Sequence, residues 1–542
     1  SMQIDFLGGA STVTGSQFLL STERARVLID CGMFQGSPNE SVRNRIPFGF
    51  VPAELDAVVL THAHLDHCGL LPVLVREGFA GPIHATAGTV ELATLVLLDS
   101  GHLHQEFAKR EARWEKRHPG EVAADDAREA AQYQAAVDLA GQHVPTTIEP
   151  TDPTVGANGA SPAGPGAGAA WPRDPEAELR AQPPSVLIDL DQPLYSVKDA
   201  ERALGHFRPI RYGEERLVAP GVHATFFDAG HILGSAIIHL RVTEREGGEE
   251  RVIVCSGDLG RPGTPILRDP TEMTAADYVL VESTYGGREH EPQDEAIRIL
   301  AETIRMVSAA DGVLLIPSFA IGRTQEVVWE LDRLIERGEI PLLPLYLDSP
   351  MASRASDIYR RHPDDYDEQT ARLLREGDTP LDYPNQIVTN DYKASQAIER
   401  APRPYLIVAS NGMLTGGRVV GHLRHLIDDP TATILFVGYQ GEGTLGAHLQ
   451  AGASTVKLDG QARTVKCQVR SISGFSAHAD ETELLAWLGG FARGKRPGDP
   501  GYPRRVFLVH GDPHAQIALE PKVRALGLAT HVPHWHEQVT LD

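Results

Sequence analysis

Residues 61–69 read T-H-A-H-L-D-H-C-G, with three histidines and an aspartate in the six positions from His62 to His67. The stretch before it, L-D-A-V-V-L at 55–60, has the apolar, β-branched character of a buried strand. A polar loop after a core strand would account for this much. The alternative is that His62, His64, Asp66 and His67 hold metal, and the rest of the chain decides between the two.

Working outward, the pattern of a strand ending in a polar group recurs. V-H-A-T-F-F-D-A-G-H ends at His231, R-V-I-V-C-S-G-D at Asp258, Y-V-L-V-E at Glu282 and R-V-F-L-V-H at His510, while S-G-F-S-A-H-A-D carries His478. Each alone is an ordinary strand terminus. Together they supply imidazole nitrogens and carboxylate oxygens enough for two zinc ions, which take these ligands and leave an open position in catalytic sites. The H-x-H spacing lets two side chains of an extended segment point the same way, and Asp258 is placed to bridge two ions.

Composition sets the frame. The chain has 542 residues, long enough for two or three domains of roughly 100 to 200 residues. Its net charge is −23, so any nucleic-acid binding must come from a local cleft or from metal rather than from a basic face. The four cysteines (Cys31, Cys68, Cys255, Cys467) form no C-x-x-C pair and read as reduced, buried thiols. With no apolar run of about 20 residues and no signal segment, the expectation is a soluble cytoplasmic protein without a membrane partner.

Along the chain, short strands open the sequence, and a helical pattern runs from Thr89 to about Ala140. Between Thr154 and Ala170, 13 of 17 residues are Gly, Ala or Pro, and about 141–183 reads as a flexible insertion. After Glu282 the style changes. V-L-L-I-P-S-F-A-I-G-R-T-Q-E and P-Y-L-I-V-A-S-N-G-M-L-T-G-G-R each run strand, glycine-bearing loop, helix, the signature of a parallel sheet. Arg323 and the loop carrying Ser410 and Gly412 are candidate phosphate contacts. His84, His239, His422 and His425 read as packed or solvated, and the set His531, His534, His536 as a strand edge rather than a ligand group.

H-x-H-x-D-H, followed by single His, Asp and His, resembles the metallo-β-lactamase fold, an αββα sandwich with metals at one edge of its sheets. The resemblance implies that His62, His64 and His231 hold a first zinc ion, that Asp66, His67 and His510 hold a second, and that Asp258 bridges both. It makes Asp30, at the end of V-L-I-D, the residue that orients a ligand histidine. V-E-S-T-Y-G, P-S-F-A-I-G-R-T-Q-E, G-Y-Q-G-E-G-T-L-G, S-G-F-S-A-H-A-D and V-H-G-D resemble the β-CASP nucleases, in which an inserted α/β domain clamps nucleic acid over the metals. The expected organisation is a first metallo-β-lactamase part at 1–286, a β-CASP domain at 287–470 and a second metallo-β-lactamase part at 471–542.

The family's three further motifs fall on Glu282, His478 and His510, and a histidine at the third implies RNA rather than DNA. The resemblance thus implies a two-zinc ribonuclease acting on single-stranded RNA, a relative of the mRNA 3′-end cleavage endonuclease. A metal-bridging hydroxide attacks the phosphodiester, and His478, held by Glu282, is the expected general acid. Endonuclease action leads, 5′-to-3′ exonuclease action stays open, and a homodimer is implied by resemblance alone. A DNA-directed nuclease of the same fold and a non-catalytic RNA-binding scaffold are the rival readings.

Overall fold

The computed structural model describes residues 1–36, 38–141, 145–147, 192–441 and 443–542. Apart from Gly141 and the short strand Pro145–Thr147, the insertion expected at 141–183 lies outside the described residues.

Alternation along the first strands shows how the layers form. In Arg26–Ile29, Val27 and Ile29 point into one core while Leu28 points into another; in Ala57–Val59, Ala57 and Val59 share the first and Val58 the second. Successive side chains of a strand face opposite ways, so a strand that is apolar at every position is buried on both faces. These strands belong to an eight-stranded sheet, ordered 145–147, 537–541, 2–8, 17–21, 26–29, 57–59, 83–86, 207–210. A seven-stranded sheet lies against it, ordered 530–531, 505–509, 278–282, 250–255, 236–243, 222–228, 215–219. Phe6, Phe18 and Ile29 of the first meet Phe226, Ile238 and Phe507 of the second in the central core. Helices Leu71–Arg76, Ala87–Arg117 and Val197–Leu204 cover the outer face of the first sheet. Glu481–Ala492 and Pro513–Ala525 cover the second, giving the αββα order.

The third sheet has six strands, ordered 386–388, 345–348, 405–409, 313–317, 433–436, 468–471, all parallel. Leu314 and Ile316 of its Val313–Pro317 strand face helices Gln293–Ala309 and Arg323–Glu336, while Val313 and Leu315 face Arg418–Leu426. The chain then returns to the sandwich. Arg505–Val509 pairs in parallel with Tyr278–Glu282, and Glu537–Leu541 pairs antiparallel with Met2–Gly8.

Candidate metal centre

Strands Arg26–Ile29, Ala57–Val59, Val222–Asp228, Glu250–Cys255, Tyr278–Glu282 and Arg505–Val509 all end toward one edge of the sandwich. Asp30, His62, His231, Asp258, Glu282 and His510 follow or close them. Leu65–Cys68 is a single helical turn, with His64 as its N-cap and Asp66 and His67 within it, so one short segment turns four polar side chains into the same space.

Two groups result. Ligand atoms of His62, His64, His231 and Asp258 all lie within 4.8 Å of one another, as do those of Asp66, His67, Asp258 and His510. Asp258 divides between them. Its Oδ2 is 3.4 Å from His62 Nε2 and 3.5 Å from His231 Nε2, while Oδ1 is 3.3 Å from His67 Nε2 and 3.4 Å from His510 Nε2. His67 and His510 bring their Nε2 atoms within 3.2 Å, and His231 Nε2 is 3.2 Å from His64 Nδ1.

These spacings suit zinc. Two ligands at about 2.1 Å from a tetrahedral centre stand roughly 3.4 Å apart. His62 Nε2 and Asp258 Oδ1 are buried without a hydrogen-bond partner, a costly state for polar atoms unless something else satisfies them. The donor set of imidazole nitrogen and carboxylate oxygen is the one zinc accepts.

Electrostatics agree. Burial lowers His62 to about 3, and burial likewise lowers His64 and His231, so all three are neutral, the form that binds metal. Burial also opposes a charge on His67, but Asp258, Asp66 and Asp30 outweigh it and raise that imidazole well above its usual value. Three carboxylates in a buried pocket call for positive charge, as protons or as metal.

Outer contacts fix which nitrogen faces inward. Asp30 Oδ2 accepts from His67 Nδ1 at 2.7 Å and from Thr61 Oγ1 at 2.8 Å, and Oδ1 accepts from the Thr61 N–H at 2.7 Å. The Ala477 carbonyl takes His231 Nδ1 at 3.0 Å, and Thr284 Oγ1 lies 3.0 Å from His510 Nδ1. Sequence reading named Asp30 but neither Thr284 nor Ala477. The motif around Thr284 was visible, whereas a backbone carbonyl carries no residue signature.

His478 stands beside both groups, its ring centre 4.6 Å from that of His231. Its Nδ1 lies 3.2 Å from each oxygen of Glu282, which is fully buried and also accepts the Leu259 N–H. Burial disfavours charge on His478, but Glu282, with Asp258 and Asp66 beyond it, lifts its pKa to about 9. Behind His231 a small cavity is lined by Arg261, Gly322, Glu326 and Tyr359, where the two halves of the molecule meet. There the Leu233 N–H donates to Tyr359 Oη at 3.1 Å, tying helix Pro350–Arg360 to the loop of His231.

The candidate phosphate contacts fare differently. Arg323 does not face solvent: its side chain is 4% exposed and pairs with Glu326 at 2.6 Å. Helix Arg323–Glu336 is buried along most of its length between sheet and sandwich, so its first residue is enclosed rather than presented. Ser410 is half-buried with its hydroxyl donating to Ser349 Oγ at 3.0 Å, and buried Gly412 gives its carbonyl to Gln440 Nε2 at 2.8 Å. His422 is packed against Asp348 at 2.6 Å, and His531 and His534 both contact buried Glu537, at 2.7 and 3.0 Å.

Comparison with known proteins matches this architecture. Residues 11–155 match the metallo-beta-lactamase superfamily, 324–449 the Beta-Casp domain, and 463–533 the Zn-dependent metallo-hydrolase RNA specificity domain. The chain is 36% identical to ribonuclease TTHA0252 of Thermus thermophilus over 518 residues, covering 96% of this chain and 95% of that one. It is 30% identical to transcription termination factor FttA of Pyrococcus horikoshii, covering 98% of this chain and 70% of that one. With FttA of Methanosarcina mazei the identity is 29%, over 96% and 69%. The metal-ready edge of the sandwich, the inserted parallel sheet and a full-length match to a ribonuclease together show that the chain belongs to the β-CASP ribonucleases of the metallo-β-lactamase superfamily.

Proposed function

We propose that the protein holds two zinc ions and hydrolyses phosphodiester bonds of single-stranded RNA. In this reading His62, His64 and His231 hold the first ion, Asp66, His67 and His510 the second, and Asp258 both, while Asp30 orients His67. The division of Asp258's two oxygens between two groups of ligand atoms is the observation that carries it.

Held by these groups, zinc would supply Lewis acidity toward phosphate oxygens and toward water. The chain's own part is proton handling and positioning. Glu282 accepts a hydrogen bond from His478 Nδ1–H and so favours the imidazolium, leaving Nε2 on the opposite edge of the ring. His478 donates its Nε2 proton to the departing 3′ oxygen, which leaves as a 3′-hydroxyl on the upstream fragment while the phosphate stays on the 5′ oxygen of the downstream one. A cleft whose positive charge comes from metal accommodates RNA on a chain of net charge −23.

Endonuclease action is the primary mode proposed, and a 5′-to-3′ exonuclease mode is the second. The domains are taken as 1–286 with 471–542 around the metals, and 287–470 as the clamp. A cytoplasmic setting fits four free, buried cysteines and the finding that no helix among the described residues is long and apolar enough to cross a membrane. A homodimer rests on family likeness alone.

The test uses 5′-labelled single-stranded RNA and the same sequence as DNA, each with and without a chelator. Internal fragments from RNA alone, abolished by the chelator, are expected. Labelled mononucleotides would shift the reading to the exonuclease mode, equal cutting of DNA would overturn RNA specificity, and cutting of neither would overturn the enzyme reading in favour of an RNA-binding scaffold.

A further inference from the structure

A line of rings leads away from His478 that no ligand or proton-transfer role uses. Tyr285 lies 6.0 Å from His478 and 6.2 Å from Tyr439, centre to centre, and the exposed Arg288 guanidinium stands 5.4 Å from the Tyr439 ring. Tyr439 follows the strand Thr433–Phe436, whose parallel neighbour Val313–Pro317 leads to Phe319. The two loops leave the same edge of the six-stranded sheet side by side.

Among the described residues Phe319 is 39% exposed, a cost for a large apolar ring. It is nonetheless held firmly. Its carbonyl accepts from the Thr324 N–H at 3.2 Å and from Thr324 Oγ1 at 2.7 Å. The ring edge is bedded on bare backbone: a Cβ on Gly412 would meet Cδ2 at 3.0 Å, and one on Gly438 would meet Cε2 at 3.7 Å. Three residues on, Gly322 (φ 89°) is packed so closely that a Cβ there would meet Ile232 Cγ2 at 2.7 Å, beside His231. One loop therefore joins a part-exposed ring, backed on one edge by glycine backbone, to the segment that carries His231.

We propose that Phe319 and Tyr439 form a stacking subsite for unpaired nucleobases of the RNA strand next to the scissile phosphate, with Arg288 facing its backbone. This deepens the ribonuclease reading and rests on it. Flat rings beside a guanidinium are the chemistry that holds single strands, because every base offers a π-face whatever its identity. Paired bases keep their faces stacked within the duplex, so the same feature selects for unpaired RNA.

Steady-state kinetics on oligoribonucleotides carrying one abasic ribose at a time provide the test. For the unsubstituted enzyme, an abasic site at one or two positions beside the cut is expected to raise KM roughly 5- to 100-fold. Phe319→Ala should raise KM on intact RNA to a similar degree and lose its sensitivity at the position that Phe319 stacks, so the two losses do not add. Phe319→Leu, which keeps apolar bulk without a flat ring, should behave like Phe319→Ala, and Phe319→Trp should restore the abasic effect. Losses that simply add, or a leucine variant that behaves as the parent enzyme, overturn the stacking subsite while leaving the ribonuclease reading intact. An enzyme that cuts no RNA overturns both.

Discussion

His478 sits where two roles compete. Its ring nitrogen, Glu282 and Asp258 form a third group of ligand atoms within 4.8 Å, so it has the position of a metal ligand as well as that of an acid. Two facts favour the acid. Both oxygens of Asp258 already face other histidines, and the His478 Nδ1 is engaged by Glu282. His478→Ala is accordingly expected to keep two zinc ions per chain by atomic absorption while the rate falls roughly 10²- to 10⁴-fold, the range for a lost general acid. A drop in zinc content would make it a ligand. At this scale the sequence was most informative, because a candidate ligand is recognised by side-chain type. His62, His64, Asp66 and His67 are legible as soon as four metal-binding groups appear in six positions. Arg323 shows the complementary limit: its type suits phosphate, but type alone says nothing about the Glu326 pairing and the burial that enclose it.

The helix that encloses Arg323 also carries two buried carboxyls one turn apart. Glu330 is 1% exposed, and its Oε2 has no hydrogen-bond partner. Burial raises its pKa from 4.5 to about 7, and neighbouring Glu326 adds to the rise, which Gln293 only partly offsets. Between pH 4.5 and 7 the folded chain therefore keeps a proton that the unfolded chain has lost. The resulting stability is full below pH 4.5, declines as the pH rises, and is gone above about 7. Glu330→Gln should remove the penalty, stabilising the protein by on the order of 3 kcal/mol at pH 8 and hardly at all at pH 4.5. Thermal unfolding at the two values checks it, and an equal gain at both would point to packing instead. Elements themselves were legible where period and punctuation agree. The strand–loop–helix units after Glu282 fold as read, since an apolar run closed by a glycine-bearing turn has few alternatives. Which helix face meets which partner was not legible, because Arg323–Glu336 is covered on nearly all sides by segments far off in the chain.

Over the whole molecule, sheet order was the least legible feature. Met2–Gly8 pairs with Glu537–Leu541, and Tyr278–Glu282 with Arg505–Val509 across the inserted sheet. Nothing local in sequence specifies partners so distant, and only burial of the shared central core decides them. The candidate metal groups sit where these distant strands end, so zinc held there would clasp both sheets and both parts of the sandwich. Chelation should lower the melting temperature and added zinc should restore it, since at free zinc a hundredfold above its Kd each ion contributes about 2.7 kcal/mol to the folded state. A melting curve indifferent to chelator would mean that the ligand groups hold their geometry without metal.

The route of the chain also has a consequence in time. His67 and His510 face each other across 443 residues of sequence. On the ribosome the first is made long before the second, and Arg505–Val509 must follow before its sheet can place that ligand. While its own message is being read, the growing polypeptide has the opening motif but only part of the second ligand group. The second ligand group is thus incomplete until synthesis has passed His510, 443 residues after His67.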